Sequence, residues 1–321
     1  MTDHAKIERA IVTPVYEDRE ASTRLFRELR NALGPDVYVV AVDDGSVRQP
    51  VSPAAIHAAG LDGVVVRLRR NVGHQRAIAV GIDYVAAHLP DATCVVMDSD
   101  GEDMPSTISA IMAPLRSDDV DVVVASRRSR IESLRFKLFY VVYKFLFSIM
   151  TGRRISFGNF MALKPRAVRR LSAMHELGIH VAGCVLVSKL RVEMTPVDRG
   201  PRYAGKSKMN FAGLVLHGFQ AFMVFAEYVL VRVGIACAAI AALSLAGIVL
   251  SLVLKLFGLT TPGWFSVAMG ILILVLSQTG VLTLITLMLT GITRGNNVLA
   301  NNYLELVDEV LPTADRHALA E

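Results

Sequence analysis

Two long uncharged runs in the last third of the chain constrain its fold most. Val233 to Leu254 gives about 22 residues without a charge, and Phe265 to Thr290 gives a second such run. At about 1.5 Å per residue, each is long enough to cross a hydrocarbon core of about 30 Å. Lys255 closes the first run and Arg294 the second. Between them, Phe257 to Gly263 reads as a tight uncharged turn, with Trp264 as an anchor at the membrane interface. The 321 residues are 53% hydrophobic with a mean hydropathy of +0.44, more apolar than an ordinary soluble chain, yet most of the charge lies in the first two hundred. A soluble domain followed by a two-helix anchor is expected.

The N-terminal part alternates strands with helices. Ala10 to Val15 is a short strand that stops at Tyr16-Glu17-Asp18, and a helix from about Glu20 to Leu33 carries Leu25, Leu29 and Leu33 at helical spacing. Val37 to Val42 is a continuous apolar strand ending in Asp43-Asp44-Gly45-Ser46. Gly63 to Leu68 ends in Arg69-Arg70-Asn71-Val72-Gly73-His74-Gln75, and a helix follows to about His88. A fourth strand begins at Cys94, a helix starts near Pro105, and Val120 to Ala125 is a fifth strand. Such alternation predicts a mainly parallel sheet covered on both faces, with ligands bound beyond the carboxyl ends of its strands. The polar clusters sit at those ends, so one crevice collects them. Met1 to Arg9 is polar with no apolar segment, which predicts that the soluble part stays in the cytosol. Cys94, Cys184 and Cys237 lie apart in apolar surroundings and read as reduced packing residues.

The fourth strand ends in Asp98-Ser99-Asp100-Gly101-Glu102-Asp103. Carboxylates gathered this closely repel one another unless a cation sits between them, and hard divalent ions take such oxygen ligands together with a substrate's phosphates. A solvated acidic turn is the alternative. No Gly-x-Gly-x-x-Gly follows the first strand and no Gly-Lys-Ser loop is present, which removes the main support for a dinucleotide oxidoreductase or a P-loop ATPase.

An Asp-Asp-Gly-Ser followed about fifty residues later by Asp-x-Asp resembles the family 2 glycosyltransferases, and more narrowly their polyprenyl-phosphate sugar transferases. The matching segments are Thr13 to Glu17, Val42 to Ser46, Arg70 to Gln75, Met97 to Glu102, and Arg202-Tyr203-Ala204-Gly205-Lys206-Ser207-Lys208-Met209. Together they cover residues 10 to 210. The resemblance implies a nucleotide-sugar-binding (GT-A-like) α/β domain with interfacial helices, followed by two transmembrane helices. It implies that Pro14, Tyr16, Glu17, Asp43, Asp44, Ser46, Asn71, Gln75 and Asp98 bind the donor, a UDP or GDP sugar. Asp98, Asp100 and Glu102 would hold Mg²⁺ or Mn²⁺. Asp100, Arg202 and Lys206 would carry catalysis, with Arg202, Lys206, Lys208 and Arg128 on the acceptor phosphate. Two departures stand out: Glu102 occupies a position often held by Gln, and Asn159 stands where many members have Asp. Asn is no general base, but transfer to a phosphate monoester, whose second pKa is about 6, needs little base. His74, opening a helix, reads more readily as a structural hydrogen-bonded residue than as a catalytic one.

The implied organisation is a cytosolic catalytic domain over 1–208, an interfacial helix at 132–150 within it, and a second interfacial helix at 209–228. The two-helix anchor would occupy 229–294, and a tail, 295–321, would form a short helix on the cytosolic face. The implied partners are the nucleotide sugar, a polyprenyl phosphate and the membrane, with no nucleic acid; a homo-oligomer is compatible with this reading. Two rivals are a processive polysaccharide synthase, which would need a Gln-x-x-Arg-Trp motif, and a non-catalytic membrane adaptor on a transferase fold. The only Trp is Trp264, in the anchor.

Overall fold

A computed structural model describes residues 7–127, 144–153, 157–203, 211–296 and 303–313. They form two compact units. The first takes the described residues within 1–143, 154–224 and 300–321, and the second those within 144–153 and 225–299.

The first unit is built on a sheet of eight strands among the described residues. They are β1 (Arg9–Val15), β2 (Tyr38–Asp43), β3 (Asp62–Leu68), β4 (Thr93–Val96), β5 (Val122–Arg127), β6 (Met161–Leu163), β7 (Val192–Val197) and β8 (Val307–Pro312), in the spatial order β7-β5-β6-β4-β1-β2-β3-β8. β1, β2, β3 and β4 run parallel, as do β5 and β7, while β6 and β8 run antiparallel to their neighbours. The strands are apolar at nearly every position because both faces are covered. On β1, Ala10 and Val12 face one core cluster with Val40 and Val42 of β2, whereas Ile11 and Val15 face the other with Val39 and Ala41. The first face is covered by α3 (His74–His88), α6 (Pro165–Ser172) and α7 (Val181–Val187), the second by α1 (Arg19–Leu33), α2 (Pro53–Ala58) and α4 (Ile108–Met112). The helix expected near Pro105 is broken into a 3-10 turn, α4 and a second 3-10 turn. α8 (Phe211–Val224) packs on α7, where a Cβ at Gly183 would stand 3.2 Å from the Val224 methyl carbons. On its other side Phe219 and Met223 are about 60% exposed.

The tail departs from expectation. Instead of a helix it forms a 3-10 turn at Tyr303–Leu306 and then β8, paired with β3 from Val64↔Pro312 to Leu68↔Val307. Arg67 pairs with Glu309, and Arg69 donates its backbone N–H to Leu306 O (3.1 Å) and its Nε–H to Val307 O (3.2 Å). Tyr303 is buried against Gly178, whose N–H donates to its hydroxyl (2.9 Å), and the hydroxyl lies 3.2 Å from His175 O.

The second unit is helical. Residues 144–151 form α5, held to α9 (Ala226–Leu256) by an edge-on contact of Phe147 with Phe225 and by Arg232 donating to Ile149 O. The remainder of the 132–150 segment lies outside the described residues. α9 and α10 (Trp264–Asn296) contain the two expected spans and are long and apolar enough to cross a membrane. They run antiparallel, since Gly247 faces Leu272 and Gly234 faces Thr286. Ser244, Ser251, Thr279 and Thr286 are buried, and Ser251, Thr279 and Thr286 donate to carbonyls one turn back, so no hydroxyl among these three is left unpaired. Ile235, Leu243, Leu287 and Met288 point outward. Cys94, Cys184 and Cys237 are free and buried.

Candidate active site

The carboxyl ends of β1 to β4 bring four loops together. The first three are knitted by carboxylates that accept backbone N–H groups, because strand ends leave such donors unpaired. Glu17, with φ at +49°, takes N–H bonds from Val47 (2.7 Å), Arg48 (3.1 Å) and Gln49 (2.7 Å), and its own N–H donates to Ser46 Oγ (2.8 Å). Those backbone donors, that of Val47 foremost, hold the Glu17 carboxyl below its usual range. Asp43 accepts from Ser46 N and Val51 N, both 2.9 Å. Asp44 accepts from Val72 N (2.7 Å) and Gly73 N (3.0 Å), and its burial pushes its carboxyl upward against them. Gly45, at φ +70°, lies so close to Arg70 that a Cβ would stand 2.4 Å from its carbonyl carbon. Pro14 is buried in β1, Tyr16 is 43% exposed, and Asn71 is exposed. Gln75 is buried instead of lining an open surface; its amide oxygen accepts from Val181 N (2.7 Å) and ties α3 to α7.

The β4 loop holds the chemistry-bearing cluster. Asp103 accepts from Asp98 N (3.0 Å) and Asp100 from Glu102 N (3.0 Å), which folds the loop back on itself. His74 Nε2 lies 3.2 Å from Asp98 Oδ1 and 3.2 Å from the Asn159 amide, so the helix-opening His belongs to this cluster. Burial disfavours its charged form, but Asp98, with Asp103 and Asp100 behind it, raises its pKa overall. Asp100 is pushed upward by burial and by Asp98. Two arginines answer this charge: Arg202 Nη2 is 2.8 Å from Asp100 Oδ2, Arg202 Nε is 3.2 Å from Glu102 Oε1, and Arg199 pairs with Glu102. Backbone bonds strap the arginine segment to the loop, from Gly200 N to Glu102 O (3.0 Å) and from Tyr203 N to Asp100 O (2.8 Å).

Asp98, Asp100, Glu102 and Arg202 are thus brought together as expected, while Arg128, Lys206 and Lys208 lie outside the described residues. Sequence reasoning assigned no role to Arg199 or Tyr203; proximity of Arg199 to the Arg202 segment was the available signal. A cavity of about 20 Å³, room for about one water-sized atom, lies among Asp98, Glu102, Asp103, Asn159, Asp198 and Arg199. Among the described residues no three acidic, His or Cys side chains are poised as a complete metal site. The donor set nevertheless suits a hard divalent ion, which commonly takes one or two carboxylates and completes its shell from substrate phosphates. Asp98 and Asp100, the latter paired with one guanidinium, can supply these; Glu102 is engaged by two.

A sequence model of glycosyl transferase family 2 matches residues 10–178. An uncharacterized glycosyltransferase of Synechocystis sp. is 28% identical over 284 residues, 84% of this chain and 85% of that protein. The undecaprenyl-phosphate 4-deoxy-4-formamido-L-arabinose transferase of Enterobacter sp. is 29% identical over 216 residues. That match spans 64% of each protein. The crystal structure of glucosyl-3-phosphoglycerate synthase from Mycobacterium tuberculosis with Mn²⁺, UDP-glucose and phosphoglyceric acid shares the fold, with a TM-score of 0.51 at 13% identity over 69% of this chain and 79% of that one.

Proposed function

The chain belongs to glycosyl transferase family 2, and from that premise we propose that it moves a sugar from a nucleotide-sugar donor to a polyprenyl phosphate at the cytosolic face of a membrane. The observation that carries this reading is Arg202, which follows β7 and is held against the β4 loop where its guanidinium meets Asp100 and Glu102. A planar guanidinium binds a phosphate through two parallel N–H bonds, so this group can grip the acceptor beside the donor's diphosphate. The Enterobacter relative, by its name, uses undecaprenyl phosphate.

Asp98 and Asp100 would hold Mg²⁺ or Mn²⁺, as the Mn²⁺ bound by the mycobacterial synthase supports. When bound, such an ion neutralises charge on the departing diphosphate. The chain's own residues do the rest. Glu17, Asp43 and Asp44 fix the donor-side loops, Asp100 and Glu102 aim Arg202, and His74 stays close to Asp98. An acceptor phosphate is ionised near neutrality and attacks without a general base, which agrees with Asn159 at this site. Direct attack inverts the anomeric centre.

The exposed apolar side of α8 suits contact with a bilayer surface. β8 supports an even number of membrane crossings: it lies in the same sheet as β1, so residues 225–299 leave and return to one side. The basic residues near the spans favour the cytosol for that side. Arg202→Lys tests the grip, because it keeps charge and loses the fork. We expect transfer to fall by roughly tenfold or more with nucleotide binding unchanged; wild-type transfer by the variant would remove the assignment.

A further inference from the structure

We propose that Tyr203 is a positioning residue: latched to α1, it sets the Arg202 guanidinium against Asp100 and Glu102 and thereby places the acceptor phosphate. The inference rests on the reading of Arg202 as the phosphate grip.

Tyr203 is held from several directions. Its N–H donates to Asp100 O (2.8 Å), which together with the Gly200 bond registers the arginine segment on the β4 loop. Its ring lies directly over Gly101, where φ is +88° and a Cβ would stand 2.6 Å from the ring carbons. Residue 101 therefore has to be glycine for the ring to lie there. The hydroxyl donates to Glu28 Oε2 (2.5 Å) on α1, Glu28 Oε1 accepts from Arg24 Nε (3.0 Å), and the Arg24 guanidinium carbon is 4.3 Å from the ring centroid. Burial, then Glu28, raise the phenol's pKa, so it remains a donor across the working pH range. α1 is a firm anchor because Leu25, Phe26 and Leu29 are wholly buried in the core.

The consequence for chemistry follows from adjacency. Arg202 is one residue from the latch, and its two ion pairs require one orientation of its planar fork. Displacing a positioned group by about 1 Å can cost on the order of a hundredfold in rate. Glu28 and Arg24 both contact the Tyr203 side chain, so a change at either reaches Arg202 through it.

The test uses the full-length protein in detergent, with undecaprenyl phosphate as acceptor probe and UDP or GDP with Mn²⁺ as nucleotide probes, binding being read by titration. Glu28→Ala and Tyr203→Phe should each weaken undecaprenyl phosphate about tenfold, the size of one hydrogen bond to a charged group. Nucleotide binding should stay within about twofold, and Glu28→Gln, which keeps an acceptor oxygen, should recover most of the loss. Combined with Arg202→Ala, neither substitution should add a further loss. If Arg202→Ala weakens the acceptor but Glu28→Ala and Tyr203→Phe do not, the latch is overturned and the phosphate grip stands. If Arg202→Ala itself leaves the acceptor unaffected, the grip fails and the latch role fails with it. Equal losses for nucleotide and acceptor would show general support of the loop and overturn the positioning role.

Discussion

At the scale of single residues, the site is a set of acids with different work. Asp43, Asp44 and Glu17 bind the chain's own N–H groups and shape the donor-side loops, whereas Asp98 faces the His74 imidazole and Asp100 and Glu102 face guanidinium groups. Asp100→Ala should therefore lower turnover by roughly two orders of magnitude, as loss of a group stabilising transition-state charge does, with Glu102→Gln milder because a neutral oxygen remains. Steady-state transfer assays, with chelation as the parallel condition, measure both; full activity in excess EDTA would contradict the metal assignment. Gly45→Ala should destabilise by about 2–4 kcal/mol in chemical denaturation, since it combines an unfavourable φ with an overlap against Arg70. Asp121 gives a pH test away from the site. Burial pushes its carboxyl up, but Arg191 and Arg166 outweigh this and hold it at about 2, below the ordinary 3.8. A depressed carboxyl stabilises the fold fully above about pH 4 and loses that contribution as pH falls towards 2, on the order of 2 kcal/mol. Asp121→Asn should flatten acid unfolding across that window, and an unchanged acid limb would contradict it. The acids were legible in the sequence as a group, but their division of labour was not: a carboxylate after a strand looks the same whether it meets a ligand or a backbone N–H. Arg199 and Tyr203 were opaque because their partners, Glu102 and Glu28, are distant in sequence.

Among the elements, β1 to β5 were readable because burial on both faces makes each strand a continuous apolar run. The two long apolar helices were readable for a similar reason, since each is an unbroken uncharged run of the length a bilayer would require. β8 gave no such signal. It is an edge strand whose residues alternate between half-buried and exposed, and Asp308 and Glu309 interrupt it, so only its pairing with β3 defines it. α2, at six residues, and β6, at three, were too short to show a period. The tail is nevertheless part of the catalytic unit, because Tyr303 fills the space over Gly178. Tyr303→Ala should cost about 3–5 kcal/mol, like other large-to-small core substitutions, with unfolding followed by circular dichroism. Tyr303→Phe should cost less, about 1–3 kcal/mol, through the unpaired Gly178 N–H. If both are neutral, the tail is an ornament to the sheet instead of a component of it.

For the whole molecule, the sheet and the two long apolar helices are linked by chain connectivity, since β8 is made only after α9 and α10. Cysteine labelling from outside the cell should reach Thr261→Cys, in the turn between the spans, and miss Asp308→Cys in β8. External labelling at residue 308 would break the single-sheet account. Stability of the catalytic unit should then depend on the complete chain, so truncation after residue 302 should lower its melting temperature. The central claim is tested most directly by product analysis. Purified full-length protein in detergent is incubated with undecaprenyl phosphate, Mg²⁺ or Mn²⁺ and, in turn, each member of a panel of radiolabelled UDP and GDP sugars. One donor should yield a lipid-linked monosaccharide with inverted anomeric configuration, and EDTA should abolish it. Retention of the donor's configuration, growth of a polymer, or the absence of lipid-linked sugar from every donor would contradict the account.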